Sequence, residues 1–223
     1  MDRRSTVSKG LSGFALFLIV ASLLSIGPAP ARAQTLSIAE AEALVRARYF
    51  EGLPEAEAAR IGPEGAARLV EMLADPEEKP NHAQILLALG LCGAPDALLA
   101  IRQWRARAPQ AGEIDRDAFR AWQALPYALG HLARFDRRAL VDLEALMNEP
   151  APDWTFLHHG GARLLRENRR AVATALEMTG LPEARRVLDR AVGPGAVASD
   201  PELAAHVRSL RALPVERAGA VGR

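Results

Sequence analysis

The side chains best suited to metal chemistry in this chain are two neighbouring histidines, His158 and His159, with Asp153 as the nearby carboxylate. A zinc-type site takes three or four ligands at favourable spacing. Adjacent residues in a loop point apart, and His131 belongs to a different helical segment. The pair therefore reads as the polar part of a loop entering a helix, and no metal is expected. Cys92 is the single cysteine, which excludes an internal disulfide. It ends an apolar run and has no base in its motif, so it reads as a small buried hydrophobe, with a nucleophile as the alternative. The chain has no GxSxG elbow, no HExxH, no phosphate-binding glycine loop and no paired acids that stand out from solvated helix faces. No catalytic residue and no cofactor are expected, and the chain reads as a non-enzyme.

Residues suited to binding are easier to find. Trp154 and Phe156 lie in the longest irregular stretch, 153–161. They either plug a seam between helices or form an exposed anchor. Residues 34–92 hold ten acids and five bases, whereas residues 161–192 hold seven arginines and four acids. Within the basic end, Arg185, Arg186 and Arg190 share one helical segment, and Arg186 and Arg190 are neighbours at four-residue spacing. Such runs are usually solvated helix faces. The alternative is a basic end that grips an acidic partner.

The elements that would position these residues begin after a leader. Arg3, Arg4 and Lys9 precede an apolar run from Leu11 to Ile26, which Gly27, Pro28 and Pro30 break before the triplet Ala31-Arg32-Ala33. That order describes a cleaved signal peptide over residues 1–33, and the run is short for a membrane span. The leader carries a net charge of +3, so the +1 of the whole chain becomes −2 beyond it. A weakly acidic chain has no global field for phosphate backbones, so nucleic acid is not an expected partner. Ser37 with Glu40 forms a capping-box pattern, Pro63 opens an amphipathic helix, and Asn81 is a candidate N-cap for the apolar run Ile85–Leu89. Ile38 and Val141 are assigned to the inward stripes of their helices. Pro126 lies inside a helix and should kink it. Asp200-Pro201-Glu202 starts a last helix, and the chain from Pro214 should fray. No segment shows period-two alternation, so the fold class is all-α.

Three stretches share a plan of apolar helix end, short turn and second amphipathic helix. Aligning Gly90, Gly130 and Glu177 gives intervals of 40 and 47 residues, the period of stacked helix pairs. The turn Leu89-Gly90-Leu91-Cys92-Gly93-Ala94-Pro95-Asp96-Ala97 resembles those of HEAT repeats, in particular the short HEAT-like type of bilin lyases. Leu176 to Ala184, with Gly180, Pro182 and Glu183, matches well. Leu129 to Ala139 departs from the pattern, with Ala133 in place of the second glycine and no proline following. The resemblance implies a short α-solenoid of antiparallel helix pairs whose second helices line the concave side. Its organisation would be capping helices over 34–62, an array over 63–192, and a capping helix and tail over 193–223. Such arrays serve mainly as binding scaffolds, so the expected function is protein binding in the cell envelope, periplasmic or secreted, without a membrane span after leader cleavage. The alternatives are a lyase-like or chromophore-handling enzyme, for which Cys92 would be the attachment point, and a structural accessory subunit.

Overall fold

Local signals set most of the helix ends. The computed structural model describes residues 34–193 and 200–212; the expected signal peptide and most of the expected tail lie outside them. Helix α1 (Ile38–Arg46) carries the full capping box: Ser37 Oγ accepts from the Glu40 N–H at 3.2 Å, and the Ser37 N–H donates to Glu40 Oε2 at 2.7 Å. A single turn, α2 (Glu55–Ala58), leads to α3 (Pro63–Ala74), with Pro63 in the first helical position. A 3-10 helix (Pro76–Asn81) then runs into α4 (His82–Cys92). Asn81 makes no capping bond; its amide donates to Glu78 Oε2 at 2.7 Å instead.

Three helix pairs follow in order: α4 with α5 (Ala97–Arg107), α6 (Arg116–Leu132) with α7 (Ala139–Asn148), and α8 (Gly161–Met178) with α9 (Pro182–Val192). The last helix is α10 (Pro201–Ala212), where Asp200 Oδ1 accepts from the Leu203 N–H at 3.0 Å. The described residues are mostly helical, so the all-α class stands. Gly93 and Gly180 take left-handed φ of 64° and 67° where α4 and α8 end, which only glycine adopts cheaply. Ala133 serves at the end of α6 because that residue is right-handed, with φ −58°. Pro126 removes one backbone donor, yet α6 continues through it to Leu132.

Packing repeats in one register. The most extensive contacts join α4 to α6 and α6 to α8. A Cβ added at Gly90 would lie 2.3 Å from the Ala128 carbonyl oxygen, and one added at Gly130 would lie 2.9 Å from that of Ala175. Ala128 stands two residues before Gly130, and Ala175 two before Glu177, so each first helix meets the next at the same place. Glu177, which ends that series, accepts from Arg211 Nε of α10 at 2.6 Å. Across the second helices, Arg102 pairs with Asp142 at 2.9 Å and Arg190 with Glu144 at 2.6 Å. The main core includes Leu69, Met72, Leu86, Leu89, Leu125, Leu129 and Leu143.

The segments joining successive pairs also lie side by side. Strand β1 (Ala111–Glu113) and strand β2 (Asp153–Thr155) form a parallel ladder, Gly112 opposite Trp154, extended by Ile114 N–H to Thr155 O at 2.9 Å. Corresponding loops of stacked units run in the same direction, so parallel pairing follows from the stacking. Three residues are too few to show alternation in the sequence. Ile38 and Val141 also differ from expectation, being 42% and 66% exposed. On α7 the buried stripe is Ala139, Leu140, Leu143, Leu146 and Met147, and Val141 falls off it.

Alanine in a helix is ordinarily favoured over glycine by about 1 kcal/mol. At Gly90 the new methyl would strike backbone, so Gly90→Ala is expected to destabilise by about 3 kcal/mol in urea unfolding, with Gly130→Ala milder at roughly 1–2 kcal/mol.

Candidate functional site

At the edge where α5 and α7 end and α6 and α8 begin, the chain forms a half-open cavity of about 640 Å³. Its floor is apolar: Leu73, Ile114, Leu125, Leu146 and Leu165. Its walls include all three tryptophans of the chain, Trp104 from α5, Trp122 from α6 and Trp154 from β2. The volume is that of sites that hold small ligands, and the lining mixes apolar side chains with many polar and charged ones.

Each indole is fixed in a different way. Trp104, 8% exposed, donates from Nε1 to His82 Nδ1 at 3.0 Å. That bond requires His82 Nδ1 to be unprotonated, and its Nε2 stands 3.3 Å from the Asp75 carbonyl, which can accept its proton. Trp154, 6% exposed, meets Trp122 edge to face with centroids 4.9 Å apart. Phe119 stacks on Phe156 at 4.0 Å and on Trp122 at 5.8 Å. Ile114, Phe119, Trp154 and Leu164 thus form a second small core beside the strand ladder, separate from the main one. Aromatic pairs in these geometries add roughly 0.5–1.5 kcal/mol each beyond burial.

Charged groups also line the cavity. Lys79 pairs with Asp115, and Arg105 pairs with Glu149. Arg107 is exposed and Asp153 lies on β2; neither makes an ion pair among the described residues. Buried Asn168 donates to the Leu146 carbonyl at 3.3 Å, tying α8 to the end of α7. Burial pushes the His82 imidazole below its ordinary pKa, and the charges of Lys79 and Arg107 push the same way against the Asp75 carbonyl and Glu78. Burial likewise lowers the guanidinium pKa of Arg105. Asp115 is held below the usual carboxylate range first by the Ala118 N–H, which it caps at 2.9 Å, and then by Lys79.

Of the candidates singled out from sequence, Trp154 lies in the cavity wall, and half-buried Phe156 packs behind it in the second core. Arg185, Arg186 and Arg190 are elsewhere, exposed on α9; Arg190 pairs with Glu144, and Arg186 stands 3.6 Å from Glu183. Phe156 and His159 close a tight turn through Leu157, whose φ is 53°, and His158, and His159 Nδ1 is buried without a partner. Among the described residues no three potential metal-ligating side chains gather. Cys92 is half-buried, with Sγ 3.6 Å from the Leu89 carbonyl, and burial raises its thiol pKa, the wrong direction for a nucleophile.

The sequence singles out Trp154 through its irregular stretch, but nothing local to Trp104 or Trp122 gathers the three indoles. Their rarity is the signal that was present, since a chain with three tryptophans places two of them close to the junctions between helix pairs. Compared with protein-family models, with curated proteins and with solved structures, the chain matches none.

The histidines give a pH prediction. His82 and His131 both have folded pKa values below the ordinary 6.5, through burial first. The unfolded chain therefore binds more protons over that interval, and stability is complete above about pH 6.5 and falls as pH drops below it. Urea midpoints measured between pH 8 and pH 5 should decline on the acid side, and His82→Gln should reduce that decline.

Proposed function

We propose that this chain is an exported, non-enzymatic repeat protein that binds another protein. In this reading three HEAT-like helix pairs stack as a short α-solenoid behind a cleaved signal peptide, and the mature protein works in the periplasm or outside the cell. The register shared by the Gly90–Ala128 and Gly130–Ala175 contacts supports the stack, because nearest-neighbour packing is how such arrays bury their apolar faces.

One observation carries the binding role. Each second helix carries a fully buried alanine in its first turn, Ala97, Ala139 and Ala184. Two residues beyond these stand Leu99, Val141 and Arg186, all exposed, the first two by 59% and 66%. Phe135, 61% exposed, packs over Gly93 in the turn that precedes α5. Equivalent positions thus present a row that is apolar at one end and basic at the other, and exposed apolar residues grouped in this way mark interaction surfaces. The Arg102–Asp142 and Arg190–Glu144 pairs brace the helices that carry the row. An acidic partner with an apolar contact fits this row. No helix among the described residues is long and apolar enough to cross a membrane.

A photo-crosslinking residue placed at Leu99, Val141 or Arg186 in the full chain, irradiated in cells, tests the reading. A single adduct of the same mass from all three positions, lost when Leu99 and Val141 are both changed to Glu at the remaining sites, is expected. Absence of any discrete adduct at all three positions would overturn it.

A further inference from the structure

We propose that the three-tryptophan cavity binds a neutral carbohydrate, one or two sugar rings carrying neither a carboxylate nor an ammonium group. The site does not rest on the protein partner proposed above, since it lies at the far ends of α5 and α7 from Leu99 and Val141. That the ligand is uncharged follows from the lining. Lys79 is paired with Asp115 and Arg105 with Glu149, and exposed Arg107 is matched by exposed Asp153, one charge of each sign. An ion of either sign therefore gains nothing from the site as a whole, and it would lose hydration on entering.

Buried polar groups without partners indicate what the ligand carries in place of charge. Asn168 lines the cavity at 7% exposure and uses one amide hydrogen on the Leu146 carbonyl. Its second hydrogen and its Oδ1 have no partner among the described residues. Of the three indole N–H groups, only that of Trp104 finds an acceptor there, His82. The Trp154 N–H has none, although the residue is only 6% exposed and a buried indole ordinarily finds one. Neither Asn168 Oδ1 nor Trp154 Nε1 is sealed from solvent, because the sealed side-chain atom without a partner among the described residues is His159 Nδ1. The cavity is the opening that both residues line. It thus presents uncharged donors and an uncharged acceptor beside indole rings. A hydroxyl both donates and accepts, so a ring bearing several can satisfy this set, whereas a hydrocarbon would leave all of it unpaired. The C–H face of a sugar ring is weakly positive and is drawn to the negative face of an indole, and half-buried Trp122 is the least covered of the three. Arg107 and Asp153 add a donor and an acceptor at exposed positions for the outer hydroxyls. A volume of about 640 Å³ admits two rings.

Titration of the nitrogen-labelled full chain with glucose, N-acetylglucosamine, cellobiose and N,N′-diacetylchitobiose tests this, because three tryptophans give three indole N–H signals. At least one of these sugars is expected to bind saturably and to shift the Trp154 signal, while that of Trp104, already bonded to His82, moves least. Glucuronate and glucosamine add a charge of either sign to the ring, and indole offers an apolar body without hydroxyls. Each should bind at least about tenfold more weakly than the best neutral sugar. Asn168→Leu replaces the buried amide by an apolar group of similar size and should weaken that sugar by about tenfold or more. Its urea midpoint reports whether it folds, and Trp122→Phe, at a half-buried position, is a second variant expected to weaken binding. Crosslinking at Val141 reads the protein partner separately and should be unchanged by saturating sugar. Saturable binding by none of the four sugars, equal binding of glucuronate, glucosamine or indole, or binding that leaves the Trp154 signal in place would each overturn the proposal. So would a folded Asn168→Leu chain, or a Trp122→Phe chain, that binds the sugar as before.

Discussion

Backbone contact between first helices is the constraint on which the rest of this molecule depends. Helices normally pack at 8–10 Å, held apart by side chains. At Gly90 no side chain intervenes, and α4 rests on the backbone of α6 at Ala128; Gly130 repeats the contact one unit later at Ala175. Fixing both the separation and the register of the first helices leaves the second helices few options. Arg102 then falls opposite Asp142 and Glu144 opposite Arg190, ion pairs that are each worth no more than about 1 kcal/mol and that reflect the alignment more than they enforce it.

The same constraint creates the cavity. Stacking helix pairs in one register brings their connecting segments to one edge of the molecule. Two of these segments lie close enough to pair as β1 and β2, in parallel because both run the same way. The corresponding segment before α4 is a 3-10 helix, Pro76–Asn81, which cannot extend the ladder. It stands off instead, anchored by Lys79 to Asp115 and followed by His82, which holds Trp104. The space left between this turn, the ladder and the helix ends is the tryptophan-lined cavity. One irregular connection between successive helix pairs therefore leaves a half-open site at this edge.

Much of the fold was legible because its signals are local. The Ser37–Glu40 box, the prolines in first helical positions and the left-handed glycines after α4 and α8 all act within one turn of backbone, and each is where the residues placed it. The spacing of Gly90 and Gly130 was also visible, although not the reason for it, since glycine as a turn former and glycine as a packing contact look alike in a sequence. Val141 was misassigned because four of the first five residues of α7 are apolar and only the facing helices decide which are covered. The ladder and the cavity were illegible for a related reason. Trp104, Trp122 and Trp154 come from three elements and meet through tertiary packing alone, and His82 acquires its role from a tryptophan 22 residues away.

The most direct measurement of the shared register is a nuclear Overhauser experiment on the isotopically labelled chain. The structure puts the ideal Cβ position of Gly90 2.9 Å from the Ala128 Cα, and that of Gly130 3.1 Å from the Ala175 methyl. Strong cross-peaks should therefore join the Gly90 α-protons to the Ala128 α-proton, and the Gly130 α-protons to the Ala175 methyl. Finding neither, or finding Gly90 in contact with residues of α8 in place of α6, would contradict the sequential stacking of first helices.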